Sequence, residues 1–278
     1  MRSQDGLNWQ LVAEHEPENS IITKGLEPYP DPSNEISANL SDVAYGNGIF
    51  VAVGSNGAIF TSSDGREWAD AGMGEGPNLE IVTSLNNTFY ATGGGNLWYS
   101  SNGTDWIIVE GISDDVAVSP TYRNGKYIVF AQSNGPIIYT GTNGISWTAR
   151  SLPSEMANVA IYSVTFGSGY FVAVGYDFSY NNRPCIWISP DGETWSSLDL
   201  PLPSYAYLTD ISYGNGFAIV GYDETSYTTP LILTSSNGIS WNIQTFPPSG
   251  SFNSIYPCEP AGTFVIARGY NLYSGGGY

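Results

Sequence analysis

The sequence predicts an all-β chain arranged as a six-bladed β-propeller, and three observations carry that prediction. A turn of the form Asx-Gly-x-x-Trp returns six times along the 278 residues, as in Asp64-Gly65-Arg66-Glu67-Trp68. A second block, rich in Val, Ile, Phe and Tyr and broken by Gly-Asn-Gly, lies upstream of the turn. No stretch shows a sustained period of 3.6 residues, so helix should be nearly absent. A turn at a fixed place in a unit of roughly 40–50 residues marks a repeat architecture.

Each element can be justified in order. The turn copies are Asp5 to Trp9, Asp64 to Trp68, Asn102 to Trp106, Asn143 to Trp147, Asp191 to Trp195 and Asn237 to Trp241. In the upstream block, Ser41 to Gly48 leads into Ile49 to Gly54 and then Ala58 to Thr61. Its fifth copy is Asp210 to Gly216, Phe217 to Gly221 and Leu231 to Thr234. Short apolar runs separated by Asn-Gly read as strands joined by tight hairpins, whose turns need positive φ and therefore favour Gly. Each unit supplies four strands: a before the Gly-Asn-Gly turn, b after it, c before the Asx-Gly turn, and d carrying the Trp. Four antiparallel strands per unit, repeated six times, describe a propeller.

The expected blades span 40–69, 81–109, 117–149, 160–197, 208–244, and 252–277 completed by 2–12, with a long insertion at 13–39. Tyr270 to Ser274 reads as a c strand with no Asx-Gly-x-x-Trp after it. Such a turn stands at the other terminus, so the N-terminal segment is expected to supply the outermost strand of the last blade. That join would remove a free sheet edge and close the ring. The whole chain reads as one domain.

Composition excludes several function classes. Lys and Arg number 8 against 26 Asp and Glu, giving a net charge of −18, and Lys24 and Lys126 are the two lysines. No basic stripe exists to neutralise phosphates or anionic lipid, which argues against nucleic-acid partners and membrane adhesion. No apolar run approaches the length of a membrane span. Cys185 and Cys258 fall in separate units without metal-ligand spacing, so neither a disulfide framework nor a metal site is expected. Asp114-Asp115 lacks the spacing of a calcium loop, and no cofactor motif is present. Polar character comes from Ser, Thr, Asn, Gly and Tyr, the composition of extracellular and virion-surface β proteins. Met1 to Glu14 has no apolar core of the signal-peptide kind.

The turns resemble the Asp-box, or BNR-type, repeats of sialidase-like propellers, whose usual pattern is Ser-x-Asp-x-Gly-x-Thr-Trp. The copies here are one residue shorter, with Gly directly after Asp or Asn. That places the resemblance nearer the Asp-box-like propellers of bacterial surface proteins and of phage tail or virion proteins. It covers nearly all the chain except 13–39. It implies the fold and, as a second reading, a sialidase-like glycoside hydrolase or lyase.

The Asx-Gly turns read as scaffold. Asp and Asn interchange at one position, as suits an acceptor in an Asx-turn, and the Trp is expected to pack between blades. Propeller geometry puts the c–d and a–b turns on one face and the b–c loops and d–a links on the other. Irregular sequence collects on that second face, where loops on a rigid scaffold carry function. The link from Gln10 to Asn39 holds His15 and six acidic residues, and is expected to be a solvated arm or a dock for a neighbouring subunit rather than a substrate lid. Two extended b–c loops run from Tyr176 through Asp177 and Tyr180 to Arg183, and from Tyr222 through Asp223 and Tyr227 to Thr229. Rings beside carboxylates can stack on sugars or cover blade edges. Asp42 and Asp210 take matching places on innermost strands, with Ser119 and Ser163 at the same position in two other blades. Two such carboxylates could act as general acid and base or nucleophile, or could cap strands along the channel.

No Ser-His-Asp arrangement is evident, because His15 is the single histidine. Of the arginines, Arg2, Arg66 and Arg123 fall at the turn face, leaving Arg150, Arg183 and Arg268, so a sialidase triad is not expected. The leading reading is a non-catalytic recognition or assembly propeller of a virion or extracellular assembly, binding a glycan or a protein. The alternatives are the hydrolase or lyase using Asp42 and Asp210, and a purely structural virion component.

Overall fold

The computed structural model describes residues 2–3, 9–10, 38–112, 118–132, 136–179, 183–203, 205–223, 229–245, 251–258 and 263–269. The chain opens with β1 (Arg2–Ser3) and β2 (Trp9–Gln10). Sheet I then comprises β3 (Leu40–Gly46), β4 (Ile49–Gly54), β5 (Ile59–Ser62) and β6 (Ala69–Asp70). Sheet II is β7 (Leu79–Leu85), β8 (Thr88–Gly93), β9 (Asn96–Ser100) and β10 (Ile107–Ile108). Sheet III is β11 (Thr121–Arg123), β12 (Lys126–Gln132), β13 (Pro136–Gly141) and β14 (Trp147–Arg150). Sheet IV is β15 (Val159–Gly167), β16 (Tyr170–Asp177), β17 (Arg183–Ser189) and β18 (Ser196–Leu198). Sheet V is β19 (Ala206–Tyr213), β20 (Phe217–Asp223), β21 (Thr229–Ser235) and β22 (Asn242–Thr245). Sheet VI joins β23 (Ser251–Cys258) and β24 (Thr263–Gly269) to β1 and β2. Among the described residues there is no α-helix, only short 3-10 turns at Ser55–Gly57 and Ser154–Met156.

Sheet VI corrects the expected pairing. Arg2 lies opposite Val265 and Ser3 opposite Phe264, while Arg2 and Ser3 also face Gln10 and Trp9. The N-terminal segment therefore supplies the third and fourth strands, not the outermost alone. The physical reason is that Arg2–Ser3 and Trp9–Gln10 pair antiparallel, so the segment brings a strand on each side of its Asx-Gly-x-x-Trp sequence. The expected c strand at 270–274 lies outside the described residues.

Two-residue hairpin turns between the first and second strands follow the rule read from the sequence. Asn47 and Gly48 have φ of 51° and 80°, Asn124 and Gly125 have 51° and 79°, and Asn86 and Asn87 have 50° and 63°. Positive φ at both central positions gives the twist that matches right-handed strands.

The chain divides into two compact units, one of Met1–Ala13, Gln132–Ile138 and Arg150–Tyr278, the other of Glu14–Ala131 and Tyr139–Ala149. In the second, Val51, Val53 and Ile59 of sheet I pack with Leu79, Val82, Phe89 and Ala91 of sheet II. In the first, Val172, Val174, Ile186 and Ile188 of sheet IV meet Leu208, Ile211, Phe217, Ile219, Leu231 and Leu233 of sheet V. Sheet V buries its other face too, where Ala218, Val220 and Ile232 pack with Phe252 and Ile255 of sheet VI. Successive residues of β20 thus enter opposite seams, which is why Phe217 to Val220 is an unbroken apolar run.

Turn glycines also belong to these seams. Gly103 has φ +80°, and a Cβ there would stand 2.8 Å from Val51 Cγ2 of the preceding sheet. At Gly238, with φ +76°, the equivalent atom would lie 3.3 Å from Val172 Cγ2. Gly48 has the same φ of +80° but open space around the added atom. Gly103→Ala is expected to cost about 2–4 kcal/mol in urea unfolding, through strain plus overpacking, and Gly48→Ala about 1 kcal/mol, through strain alone. Equal losses would mean that close packing at the seam adds nothing.

Candidate functional site

The repeated turn is built by one acceptor serving several donors. Asp64 Oδ1 accepts from the N–H groups of Arg66 at 2.8 Å and Glu67 at 3.0 Å. Asn102, Asn143, Asp191 and Asn237 each accept in the same way from the second and third residues after them. The Trp indole N–H closes the motif on the Gly carbonyl, at 3.3 Å for Trp68 and Trp195 and 3.1 Å for Trp106, Trp147 and Trp241. Trp106 and Trp241 also pack against the clusters shared with the preceding sheets. Asp5 and its side-chain contacts lie outside the described residues, as does the Trp9 side chain.

Sequence reasoning missed a fourth part of the turn. Ser62, Ser100, Ser189 and Ser235, two residues before the Asx, are buried polar groups. Their hydroxyls accept from the Gly N–H at 2.8–2.9 Å. The signal was available, because Ser stands at that offset in five of the six copies, Ser3 among them; Gly141 replaces it before Asn143. Beside these turns a groove of about 460 Å³ is lined by Thr61, Glu67, Trp68 and Asn102. It lies at the strand ends read as scaffold, and Asn102 there is committed to its own turn.

The carboxylates considered for chemistry span seams. Asp42 Oδ1 accepts from Val43 N at 2.8 Å, and its Oδ2 from Val82 N of the next sheet at 2.9 Å. Asp210 repeats the device, with Oδ1 accepting from Ile211 N at 2.8 Å and Oδ2 from Ile255 N of sheet VI at 2.9 Å. Ser163 donates to Asp210 Oδ1 at 2.7 Å, so three consecutive sheets meet at one side chain. Register shifts between Leu40 and Asp42 and between Leu208 and Asp210 explain the placement. The first strand of each sheet has no ladder partner on one side, and a bulge re-aims its side chains across the seam. Thr209, the extra residue of the bulge, donates to Phe252 O at 2.9 Å. Ser119 precedes β11 and is not within a strand.

The second-face residues form an aromatic stack. Tyr176 lies against Tyr207 at 4.5 Å between ring centroids, and Tyr207 against Tyr222 at 5.7 Å, all nearly parallel. Phe178 meets Tyr176 edge-on at 5.1 Å, and Tyr162 stacks on Tyr207 at 5.8 Å. The two expected loops are thus drawn together by Tyr207 and Tyr162, which sequence reasoning did not select. Burial pushes the Tyr162 phenol well above its ordinary range, helped by the hydrogen bond to Tyr207, so it stays protonated.

Several residues expected in loops extend strands. Tyr176 and Asp177 pair with Pro184 and Arg183, while Tyr222 and Asp223 pair with Pro230 and Thr229. The ladder continues because both strands remain extended on each side, which shortens the hairpins. Tyr176 is 5% exposed, so its ring is spent on packing. Asp177 accepts from Ser179 N at 2.9 Å and faces Arg183 at 3.8 Å. Tyr180 and Tyr227, and the arm with His15, lie outside the described residues. Cys185 is a free thiol whose pKa burial pushes up to about 12. Among the described residues no group of three or more His, Cys, Asp or Glu is placed to hold a metal. No described helix is long and apolar enough to cross a membrane.

Comparison with known proteins supplies the family. Residues 34–251 match the family described as the DUF6242 beta propeller domain, and the chain belongs to that family. No curated protein matches it. Among solved structures it is similar to YCF48 bound to D1 peptide, with 15% identity over 89% of this chain and 83% of that one, at a TM-score of 0.61. It is also similar to the extracellular domain of the hybrid two-component system BT4673 from B. thetaiotaomicron, with 13% identity, coverage of 87% and 33%, and a TM-score of 0.59. A nidogen/laminin complex gives 14% identity, coverage of 78% and 84%, and a TM-score of 0.54. These likenesses establish an all-β propeller of four-stranded antiparallel sheets.

Two outcomes follow from the hydrogen bonding. Asp210→Ala strands donors from two neighbouring sheets and is expected to cost about 2–4 kcal/mol in urea unfolding; a loss below about 0.5 kcal/mol would remove the seam role. For Asp191, partial burial opposes ionisation, but the N–H donors of Thr194 and Glu193 with the Ser189 and Thr194 hydroxyls outweigh it and lower the pKa from 3.8 to about 2. A depressed carboxylate stabilises fully above its unfolded value and loses that contribution as pH falls through the folded value. Asp191→Asn keeps the acceptor, so its melting temperature should fall less between pH 4 and pH 2 than the wild type's. An unchanged fall assigns the acid sensitivity to other groups.

Proposed function

We propose that this DUF6242 propeller is a non-catalytic recognition module that docks a protein partner where the second and third strands of sheets IV and V meet their connecting loops. One observation carries the reading: the stack from Tyr176 to Tyr222 is continuous with Phe178, 54% exposed, and Tyr205, 56% exposed, directly precedes β19, the strand of Tyr207. Large exposed rings on a fixed scaffold suit protein recognition, because they offer contact area at little cost in side-chain entropy. Buried packing fixes the inner rings before any partner arrives, which favours affinity through preorganisation.

A six-bladed ring closed through β1 and β2 is the scaffold in this reading. The catalytic alternative lacks support from Asp42 and Asp210, whose oxygens serve backbone N–H groups across seams. Sugar stacking is less well supported than protein docking, since Tyr176 is covered by Tyr207. Two similar structures are described as complexes, YCF48 with D1 peptide and nidogen with laminin. The uncharged polar composition supports an extracellular or assembly-surface setting.

Parallel screens separate the readings. A phage-displayed peptide library should enrich sequences that bind the full chain and lose at least about tenfold in affinity on Phe178→Ala or Tyr205→Ala, while a glycan array stays blank. Enrichment of a glycan lost with the same variants would replace the protein partner by a sugar. Peptides that ignore both variants would remove this surface from the account.

A further inference from the structure

We infer that Asn124 and Asn215 are sites of spontaneous, backbone-mediated deamidation, and that the recurrent turns shield their own asparagines from it. The reaction needs an Asn followed by a residue whose amide nitrogen can reach the Asn side chain, and Gly hinders that approach least. The Gly nitrogen attacks Cγ of the Asn and a C–N bond forms. The bond from Cγ to Nδ2 breaks, and the amide group leaves as ammonia with the proton displaced from the Gly nitrogen. Water then opens the five-membered imide at either carbonyl. The product is aspartate or its β-linked isomer, with one added negative charge.

Asn-Gly recurs along this chain, and hydrogen bonding separates the described copies. At Asn102 and Asn237 the Gly N–H that would attack donates to the Ser100 or Ser235 hydroxyl at 2.8 Å. The Asn carbonyl that would be attacked is held by two further N–H groups at 2.9–3.0 Å. Asn143 keeps the second restraint and lacks the first, because Gly141 stands in place of the serine. At Asn56 the attacking group is also taken, since the N–H of buried Gly57 donates to Pro77 O at 2.7 Å.

Asn47 and Asn124 form an internal comparison. Their hairpin turns match, with φ of 51° and 80° in one and 51° and 79° in the other. All four turn residues are exposed, and a Cβ on Gly48 or Gly125 would meet nothing within 4 Å. Neither Gly joins a ladder, whose last pairs are Gly46 with Ile49 and Arg123 with Lys126. The side chains differ. Asn47 Nδ2 donates to Asn87 O at 2.8 Å and Ser101 O at 3.3 Å, which anchors the group that must leave. No described residue anchors the Asn124 amide in this way. Asn215 is exposed between Gly214 and Gly216, in a bend beyond the last ladder pair, Tyr213 with Phe217. Each event makes a chain of net charge −18 more acidic. The β-linked product also adds an atom to the main chain, which a two-residue turn of fixed twist does not accommodate.

Peptide mapping by mass spectrometry, over a time course of the folded full chain in mildly alkaline buffer, tests this. Asn124 and Asn215 are expected to convert at least about tenfold faster than Asn102 and Asn237, the factor set by breaking one retained hydrogen bond. Asn47 should fall between the two groups. In concentrated urea the rates should converge, because the shielding belongs to the fold. Ser100→Ala frees the Gly103 N–H and should speed conversion of Asn102 severalfold while Asn237 stays slow. Equal rates at Asn124, Asn215, Asn102 and Asn237 in the folded chain overturn the inference. An unchanged rate at Asn102 in Ser100→Ala overturns the shielding role of the serine.

Discussion

The described sheets carry apolar faces that no sheet can cover alone, and the rest of the structure depends on covering them. A four-stranded blade alone would leave rows of Val, Ile, Leu and Phe in water, so stability resides in the seams between neighbours. Sheet V shows the constraint most fully, with Phe217 and Ile219 in one seam and Ala218 and Val220 in the other. The polar groups follow the same logic. Backbone N–H groups on the first strand of a sheet have no ladder partner on one side, and Asp42 and Asp210 reach across seams to satisfy those of Val82 and Ile255. At the opposite strand ends, Asn47 donates to the carbonyls of Asn87 at 2.8 Å and Ser101 at 3.3 Å, and Ser168 to that of Ser236 at 2.8 Å. Seams are thus apolar in the middle and hydrogen-bonded at both ends.

The fold was legible in the sequence because its signals are local. An Asx followed by Gly specifies a turn from its own side chain, and Asn47-Gly48 specifies a hairpin from its own φ preference. Repetition then marked the units as copies of one four-stranded design. The candidate site was less legible because its signals are relations between distant residues. Tyr207 is 31 positions from Tyr176 and 15 before Tyr222, and nothing in its local pattern marks it as the ring that joins them. Asp42 and Asp210 were visible as matched carboxylates, but a sequence position does not name the donor it meets. The bulge that aims them, read from pairing registers, has no distinctive local composition. Strand ends at Tyr176 and Tyr222 were misjudged for a related reason, since Tyr, Asp and Thr suit a solvated ladder as well as a loop.

A division of labour follows. Groups most easily recognised, the five described Asx-Gly turns, are consumed by holding their own backbone, and Gly103 and Gly238 pack on the preceding sheet as well. The exposed rings on which the proposed docking rests, Phe178 and Tyr205, are irregular in sequence and belong to the ends of sheets IV and V. Packing also explains why those rings can be rigid: Tyr176 is held by neighbours on one side while Phe178 stands exposed on the other. A surface of that kind combines the seam's rigidity with unspent aromatic area.

Hydroxyl-radical footprinting of the full chain, with and without a bound peptide from the displayed library, tests the central claim most directly. The account predicts that Phe178 and Tyr205 are protected on binding while Trp68, Trp106 and Tyr45 at the turn ends keep their reactivity. Protection confined to the turn ends, with Phe178 and Tyr205 unchanged, would contradict it.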